Sequence, residues 1–272
     1  MIIRRTGVIF PPFTPYVRVS VSEITFTTIS GANAPQAAEF ALMAMLSLGY
    51  HLPERLSMQR KADWDSKRMR QLKPVQLRNS TVGIIGYGSV GRELARLLQS
   101  FDVTILATKL DVMHPGDDDY TIEGKGDPEG HLFHRLYPVQ AMHSLLKACD
   151  FVVISLPLTE KTRNLIGKDE LGSMKTHACL VNLSHKQIVN MDALLNALND
   201  RLIGGAFLDV FQDEPPPQEN LAWKLNNLVL SPRIAWLSTQ DMDGAMTLFA
   251  ENLKRYTSGA VLLNRYDSKR GY

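Results

Sequence analysis

The chain is short of several things, and each shortage narrows what it can be. Its 272 residues include only two cysteines, Cys149 and Cys179. That is too few for a disulfide framework, and both are expected to be small core hydrophobes. Acidic and basic residues nearly cancel, 28 against 30, for a formal net charge of +2. With no basic block, nucleic acid is not implied as a partner. The longest apolar stretch, Phe40–Leu48, is far too short to span a bilayer. The opening MIIRRTGVIFPPF lacks the long apolar core of a signal peptide. A cytoplasmic protein with no membrane partner is expected. What the chain does have is apolar bulk, 44% hydrophobic residues, enough for a sizeable core in one large or two smaller domains.

Residues Val82–Gly91 read VGIIGYGSVG and lead directly into RELARLL. Thr81–Ile85 is a short β-branched run with the composition of a buried strand. Gly86, Gly88 and Gly91 then give the G-x-G-x-x-G spacing, and Val90, Leu94, Ala95, Leu97 and Leu98 form a helical apolar stripe. In such a turn the first glycine permits the tight exit from the strand. The second lets a pyrophosphate approach the backbone, and the third lets the helix pack closely on the strand. Free N–H groups and the positive end of the helix dipole would hold the phosphates. Its position between strand and helix separates this motif from an ordinary glycine turn.

Strand-like and helix-like segments alternate after it: strand Val103–Ala107, helix Val139–Ala148, strands Phe151–Leu156 and Ala178–Asn182, helix Met191–Leu198, strands Gly204–Asp209 and Leu228–Leu230. That rhythm predicts an α/β fold with a doubly wound parallel Rossmann sheet. Before it, residues 1–32 are β-prone and broken by proline, with loose alternation over Val17–Thr28. A helix over Pro35–Leu52, apolar on nearly all sides, implies burial against another domain or a second copy, and a polar arm around Trp64 follows it. An amphipathic helix over roughly Asp241–Tyr256 closes the chain. One stretch breaks the rhythm. Leu110–Pro138 is long and polar where an α/β connection normally takes about 2–6 residues. Its His114, His131 and His134 raise the question of metal. With no cysteine nearby, a flexible solvated insertion is the favoured reading and no metal site is expected.

These motifs agree with one family. The chain resembles the D-isomer-specific 2-hydroxyacid dehydrogenases, in the stretches ISGANAPQAAEFALMAML, NSTVGIIGYGSVGRELA, CDFVVISLPLTEKTRNLIG, ACLVNLSHKQIVN, GAFLDVFQDEPPP and NLVLSPRIAWLS, which span most of residues 29–238. The closing PRIAW looks like the glycerate dehydrogenase and hydroxypyruvate reductase branch. The resemblance implies an NAD(P)-dependent oxidoreductase moving a hydride between nicotinamide and a small 2-oxo or 2-hydroxy acid. It also implies a homodimer through the Pro35–Leu52 helix and the Trp64 arm. The expected organisation is a Rossmann domain over 33–238, with a reduced second lobe built from both termini. Residues 1–32 are the remnant of the family's substrate domain, and 239–272 are a helix returning to that lobe. The chain is expected to begin partway through a normal substrate domain. Thr6-Gly7-Val8-Ile9 resembles the family's substrate-carboxylate loop, with Ile9 where a second glycine would let the backbone approach the ligand.

The resemblance also implies three polar positions around the nicotinamide, and here the chain departs from it. The family's arginine beyond the V-N motif, which binds the substrate carboxylate, is His185. The family's histidine after a proline near the chain's end is Arg233, and the glutamate that holds that histidine is Glu214. Arginine and histidine have exchanged places. Two readings stand. In one the roles are transposed, Arg233 offering a fork of donors to a carboxylate and His185 a titratable proton to the carbonyl oxygen. In the other the site is inactive and the protein is a nucleotide-binding homologue with a regulatory or binding role, since a misplacement of about 1 Å already costs catalysis dearly.

Cofactor positions carry over in the same way: Tyr87, Ser89 and Val90 in the glycine loop; Leu156, Pro157 and Thr162 in a P-L-T-x-x-T stretch; Leu183, Ser184 and Asp209 near the nicotinamide. Asp209 either binds the carboxamide or is structural. The end of the second Rossmann strand usually carries an acid for the ribose 2′-OH in NAD users. Here that position is Lys109, which cannot accept but can neutralise a 2′-phosphate. NADP is therefore expected in preference to NAD, unless Asp111 serves the ribose and Lys109 points away.

Overall fold

A computed structural model describes residues 2–4, 25–64, 72–238, 241–267 and 270–271. The Thr6-Gly7-Val8-Ile9 stretch and most of Val17–Thr28 lie outside the described residues, as does the arm beyond Trp64.

Two short strands, β1 (Ile2–Arg4) and β2 (Phe26–Thr28), pair in parallel, and an isolated antiparallel bridge joins Thr27 to Arg265. Both ends of the chain therefore meet in one small lobe. Seven strands build the main sheet: β3 (Thr81–Ile85), β4 (Thr104–Thr108), β5 (Arg135–Tyr137), β6 (Phe151–Ile154), β7 (Cys179–Asn182), β8 (Gly205–Leu208) and β9 (Leu228–Leu230). Their order is β5-β4-β3-β6-β7-β8-β9, every pairing parallel. The doubly wound sheet is as the alternation predicted, with most strand limits within a residue or two. The order reverses between β3 and β6, and ligand crevices in such sheets open at the carboxyl ends of the strands at that point.

Helices cover both faces. On one side lie α1 (Ala34–Gly49) and α3 (Ser89–Leu98). On the other lie α4 (Met142–Ala148), α5 (Lys168–Ser173) and α6 (Met191–Asn199). Alternation along β3 sends Val82 and Ile84 to the α1/α3 face and Ile85 to the opposite one, as the pleat requires. The buried alanines 37, 38, 41 and 44 let α1 come close to α3 and the sheet. Cys149 and Cys179 are free and buried, and burial pushes both thiols up to about 12.

Several expectations are corrected. The Pro35–Leu52 helix is two helices. α1 stops at Gly49, His51 takes a left-handed conformation (φ 52°), and α2 (Leu52–Arg60) runs through what reads as a polar arm. Its own chain buries one face of α1. What remains exposed is Met43, Tyr50, Leu52 and Leu56, with Trp64 91% exposed. The Val139–Ala148 helix begins with a tighter turn over Val139–Ala141 before α4, and α5 was not anticipated. The final helix, α7, covers Asp241–Thr257.

The largest addition concerns Leu110–Pro138, which is largely exposed, as a solvated insertion would be, but is also tied to the sheet and to α3. It ends in β5, the edge strand, and it folds back on α3. Arg92, 1% exposed, carries its guanidinium into the segment, where Nη2 donates to Pro115 O at 2.5 Å and Nη1 to Asp127 O. Its Nε pairs with Asp117 at 3.3 Å. Most of the segment's charged residues do face water, but Asp127 is buried, and the turns' carbonyls that face α3 find their partner in Arg92. The three histidines go separate ways. His114 meets Asp111 at 2.7 Å, His131 meets Glu129 at 3.3 Å, and His134 Nδ1 accepts from Ile105 N at 3.0 Å. Among the described residues no group of three or more side chains is placed to hold a metal ion.

Candidate functional site

The cofactor and catalytic candidates all follow the carboxyl end of a sheet strand: 86–91, the glycine turn and the first turn of α3, after β3, Lys109 after β4, 156–162 after β6, 183–185 after β7, Asp209 and Glu214 after β8, and Arg233 after β9. Parallel topology alone brings them to one edge.

The glycine loop is built by main-chain constraint. Gly86 lies at φ +101°, and a methyl group there would fall 2.8 Å from Ser155 O. Thr108 pins the turn, with Gly86 N donating to its Oγ1 at 3.1 Å and Tyr87 N to its O at 2.9 Å. Ser155 Oγ donates to Gly86 O at 2.7 Å. A methyl on Gly91 would fall 2.6 Å from Gly86 O and 2.8 Å from Ile84 Cγ2, so helix and strand touch through it. A methyl on Gly88 would meet nothing within 4 Å. Gly88 is also the residue preceding α3, and no side chain caps that helix. An uncapped helix start below open space, framed by two glycines that cannot be replaced, fits a pyrophosphate. Ser89 and Val90 form the first turn of that helix, Val90 buried against Ala34 and Ala37.

Tyr87 is corrected in one respect. Its side chain is 2% exposed and turned away from the crevice. The hydroxyl donates to Asp127 Oδ2 at 2.6 Å, and the ring meets Phe133 edge-on at 5.2 Å. Only its backbone is available to a ligand.

Lys109 is half-buried at the end of β4. Its Nζ donates to His114 O and Gly116 O, both at 2.6 Å. Burial, and then the charge of Arg92, hold its pKa below the ordinary lysine value. Asp111 is engaged by His114. Thr162 closes its own turn, Oγ1 donating to Pro157 O at 2.8 Å and accepting from Thr159 N at 2.7 Å. Leu156 packs beneath the first glycine, its Cδ2 2.8 Å from where a Gly86 methyl would sit.

At the other end, Leu183 is buried, and its carbonyl accepts from Trp236 Nε1 at 3.2 Å. Ser184 Oγ donates to Ile154 O at 2.8 Å. These two bonds set the strand exit that carries His185. Gln187 N donates to His185 Nδ1 at 3.2 Å, which makes Nδ1 the acceptor and places the neutral ring's proton on Nε2. Burial, then Arg233, Lys186 and Arg163, push the His185 pKa below the ordinary histidine value, with Glu214 opposing. Glu214 Oε1 accepts from Phe211 N at 3.1 Å, and Oε2 faces Arg233 Nη1 at 3.4 Å.

Arg233 occupies the left-handed region, φ 60°, a conformation uncommon outside glycine. Asp209 compensates. It is fully buried, its Oδ1 and Oδ2 accept from Ile234 N and Ala235 N at 2.9 Å each, and its carbonyl accepts from Arg233 N at 3.1 Å. Of the two roles left open for Asp209, the structural one is occupied. Sequence reasoning missed Arg92, Asp127, Thr108 and Ser155. No spacing relates Arg92 to Pro115 or Asp127, so only the fold could reveal them.

An α/β crevice with this loop defines a dinucleotide-binding protein. Residues 42–235 match the NAD-binding domain of D-isomer-specific 2-hydroxyacid dehydrogenases, and the chain belongs to that family. It is similar to glyoxylate reductase of Thermococcus gammatolerans, 33% identical over 255 residues, covering 90% of this chain and 72% of that protein. D-3-phosphoglycerate dehydrogenase of Methanocaldococcus jannaschii is 29% identical over 251 residues, 90% of this chain and 44% of that one. A solved D-isomer-specific 2-hydroxyacid dehydrogenase from Xanthobacter autotrophicus, in complex with NADPH and MES, superposes with a TM-score of 0.75 at 24% identity, covering 93% of this chain and 96% of that chain. The protein is thus an NAD(P)-dependent oxidoreductase of the 2-hydroxyacid dehydrogenase class. Among the described residues no helix is long and apolar enough to cross a membrane.

Proposed function

We propose that this protein reduces a small 2-oxo acid of the glyoxylate or hydroxypyruvate kind, using NADPH in preference to NADH, with the family's arginine and histidine roles transposed. The observation that carries the reading is the pairing of Arg233 with Glu214 at 3.4 Å, beside a half-buried His185 within reach of both charges. The bound dihydronicotinamide supplies a hydride to the substrate carbonyl carbon. Arg233 binds the substrate carboxylate, its fork offering paired donors, while Glu214 steadies the guanidinium. His185, protonated on both nitrogens and released from the Gln187 N–H, would present Nε2–H to the carbonyl oxygen and give up that proton as the oxygen becomes an alkoxide, returning to a neutral ring. Asp209 supports the Arg233 side of this arrangement by fixing the backbone of residues 233–235. Ser89, Val90 and the glycines would receive the pyrophosphate, and Lys109 would offer a 2′-phosphate the N–H that its two carbonyl partners leave over. Leu156, Pro157, Thr162, Leu183 and Ser184 wall the cofactor. Glyoxylate reductases among the relatives support the substrate class.

Residues 33–238 make the nucleotide-binding domain of this reading, and the chain's two ends make the substrate lobe. The exposed apolar residues of α1 and α2 together with Trp64 form the contact of a cytoplasmic homodimer. Purified protein mixed with NADPH and glyoxylate or hydroxypyruvate is expected to oxidise NADPH. The exchange His185→Arg with Arg233→His, compared with each single change, tests the transposition. If the double variant alone gains activity from a negligible baseline, the roles are not transposed and the native site is impaired.

A further inference from the structure

The proposed mechanism uses the glycine loop but not the segment lying against it, and the contacts between them are the most buried polar contacts of the α3 face. Asp127, 5% exposed, accepts three N–H or O–H groups: His131 N at 2.9 Å on Oδ1, Leu132 N at 3.0 Å and Tyr87 OH at 2.6 Å on Oδ2. Its own carbonyl receives Arg92 Nη1, from the first turn of α3. The Arg92 guanidinium lies 4.9 Å from the centroid of the Tyr87 ring. Tyr87 of the G-Y-G turn and Arg92, the residue just after Gly91, are thus both tied to one carboxylate-bearing residue of the 110–134 segment. That segment is itself anchored at its far side. Tyr120 N donates to Asn264 Oδ1 at 2.9 Å, and Tyr120 packs on the cluster of Ile29, Ala32 and Leu248 in the second lobe.

We propose that Asp127 is a positioning residue for the dinucleotide: it holds Tyr87 and Arg92 from outside, and so sets the glycine loop at the height at which the open space over Gly88 accepts a pyrophosphate. The inference rests on the glycine loop being the dinucleotide site. Its logic is geometric. A loop whose inner face must stay bare for a ligand can be fixed only from its outer face, and Asp127 supplies that fixation through a phenol and a guanidinium rather than through contact with the ligand. The carboxylate also suits a permanent anchor. Burial works against its charge, but the bonds from Tyr87, His131 N and Leu132 N outweigh it and keep the carboxyl below the ordinary aspartate value.

Asp127→Ala and Tyr87→Phe in the full chain test the proposal, with NADPH binding by fluorescence titration, steady-state kinetics with hydroxypyruvate, and thermal melting. Losing hydrogen bonds to a charged group is expected to raise the Kd and KM for NADPH about five- to twentyfold in Asp127→Ala. Tyr87→Phe is expected to raise them less, in the same direction. In both, kcat and the KM for hydroxypyruvate stay within about twofold, and the amides of residues 86–91 exchange faster with deuterium. Asp127→Asn, which keeps one acceptor oxygen, is expected to recover part of the loss. If Asp127→Ala does not fold, Tyr87→Phe decides alone, since it removes only an oxygen. Unchanged NADPH affinity with a lowered Tm would make Asp127 a structural residue and overturn the proposal. A parallel fall in kcat would overturn it too. A native protein that binds neither NADPH nor NADH would instead fail the reading of the glycine loop, and the proposal with it.

Discussion

At the pyrophosphate end of the crevice the groups on offer are main-chain atoms, whereas at the β7–β9 end they are side chains. Gly86 and Gly91 are fixed by backbone approaches of 2.8 and 2.6 Å that any side chain would violate. His185, Glu214 and Arg233 merely occupy three strand exits whose backbones would carry other residues. On the proposed reading, this difference accounts for a glycine spacing that is kept while the family's arginine and histidine positions carry His185 and Arg233. A backbone-built site tolerates no exchange. A side-chain-built site tolerates one if each strand exit can hold the newcomer. Arg233 is held at its left-handed φ by the Asp209 carboxylate and carbonyl, and histidine is no worse suited to that region.

The comparison breaks first at the side-chain end, where the largest effect is expected. His185→Ala should lower kcat about 10²–10⁴-fold, the usual worth of a positioned acid, with little change in NADPH affinity. Arg233→Ala should act mainly on the substrate KM, by roughly tenfold or more for a lost charge-assisted contact. The pH profile carries the sign. Reduction uses the imidazolium, so kcat/KM for the 2-oxo acid should fall as pH rises through a pKa lying below the ordinary histidine value. Oxidation should show the opposite limb. Arg233→Ala removes a repelling charge and should move that limb upward, whereas Glu214→Gln should move it downward. A limb that stays fixed in both variants would mean that His185 is not the titrating group.

The backbone end is sharpened by two substitutions three residues apart. Gly91→Ala places a methyl against Gly86 O and Ile84, and overpacking of this kind costs roughly 1–3 kcal/mol, visible as a lowered Tm. Gly88→Ala meets no protein atom within 4 Å, so stability should stay within about 0.5 kcal/mol. Yet NADPH affinity should fall about tenfold, ~1.4 kcal/mol. If Gly88→Ala binds NADPH as well as the native chain, the open space above it is not where the pyrophosphate lies.

How much of this was legible beforehand follows the same division. His185, Glu214 and Arg233 were picked out only through the family resemblance, whereas the glycine loop and the parallel sheet could be read from residues, because each depends on neighbours a few positions away or on strands in sequence order. The 110–134 segment could not. Its polarity looks like solvation until Arg92 is seen reaching Pro115 and Asp127 across the fold. The break of the first helix at His51 was legible and overlooked, since Gly49 ends α1 and Pro53 lies in the first turn of α2, a glycine stop followed by a proline start. Tyr87 illustrates both cases. Its backbone place was readable, whereas its side chain's destination was not.

Lys109 stands between the two kinds of site, a side chain at the backbone-built end. Its ammonium already donates to His114 O and Gly116 O, so part of its capacity is used before any ligand arrives. Burial and the nearby Arg92 disfavour its charge, and a 2′-phosphate would favour it by supplying an anion. NADPH should accordingly bind more tightly than NADH, and Lys109→Asp should reverse the order, each step worth roughly 1.5–3 kcal/mol, or about tenfold or more. Because the same lysine holds the turn at 114–116, the substitution will also loosen that turn and weaken both cofactors somewhat. The diagnostic quantity is therefore the ratio of the two Kd values rather than either one. Lys109→Met, which keeps the stem but neither donates nor accepts, should bring the ratio to about one. Equal affinities in the native protein, left unchanged by both substitutions, would assign Lys109 to the turn alone and the cofactor preference to another residue.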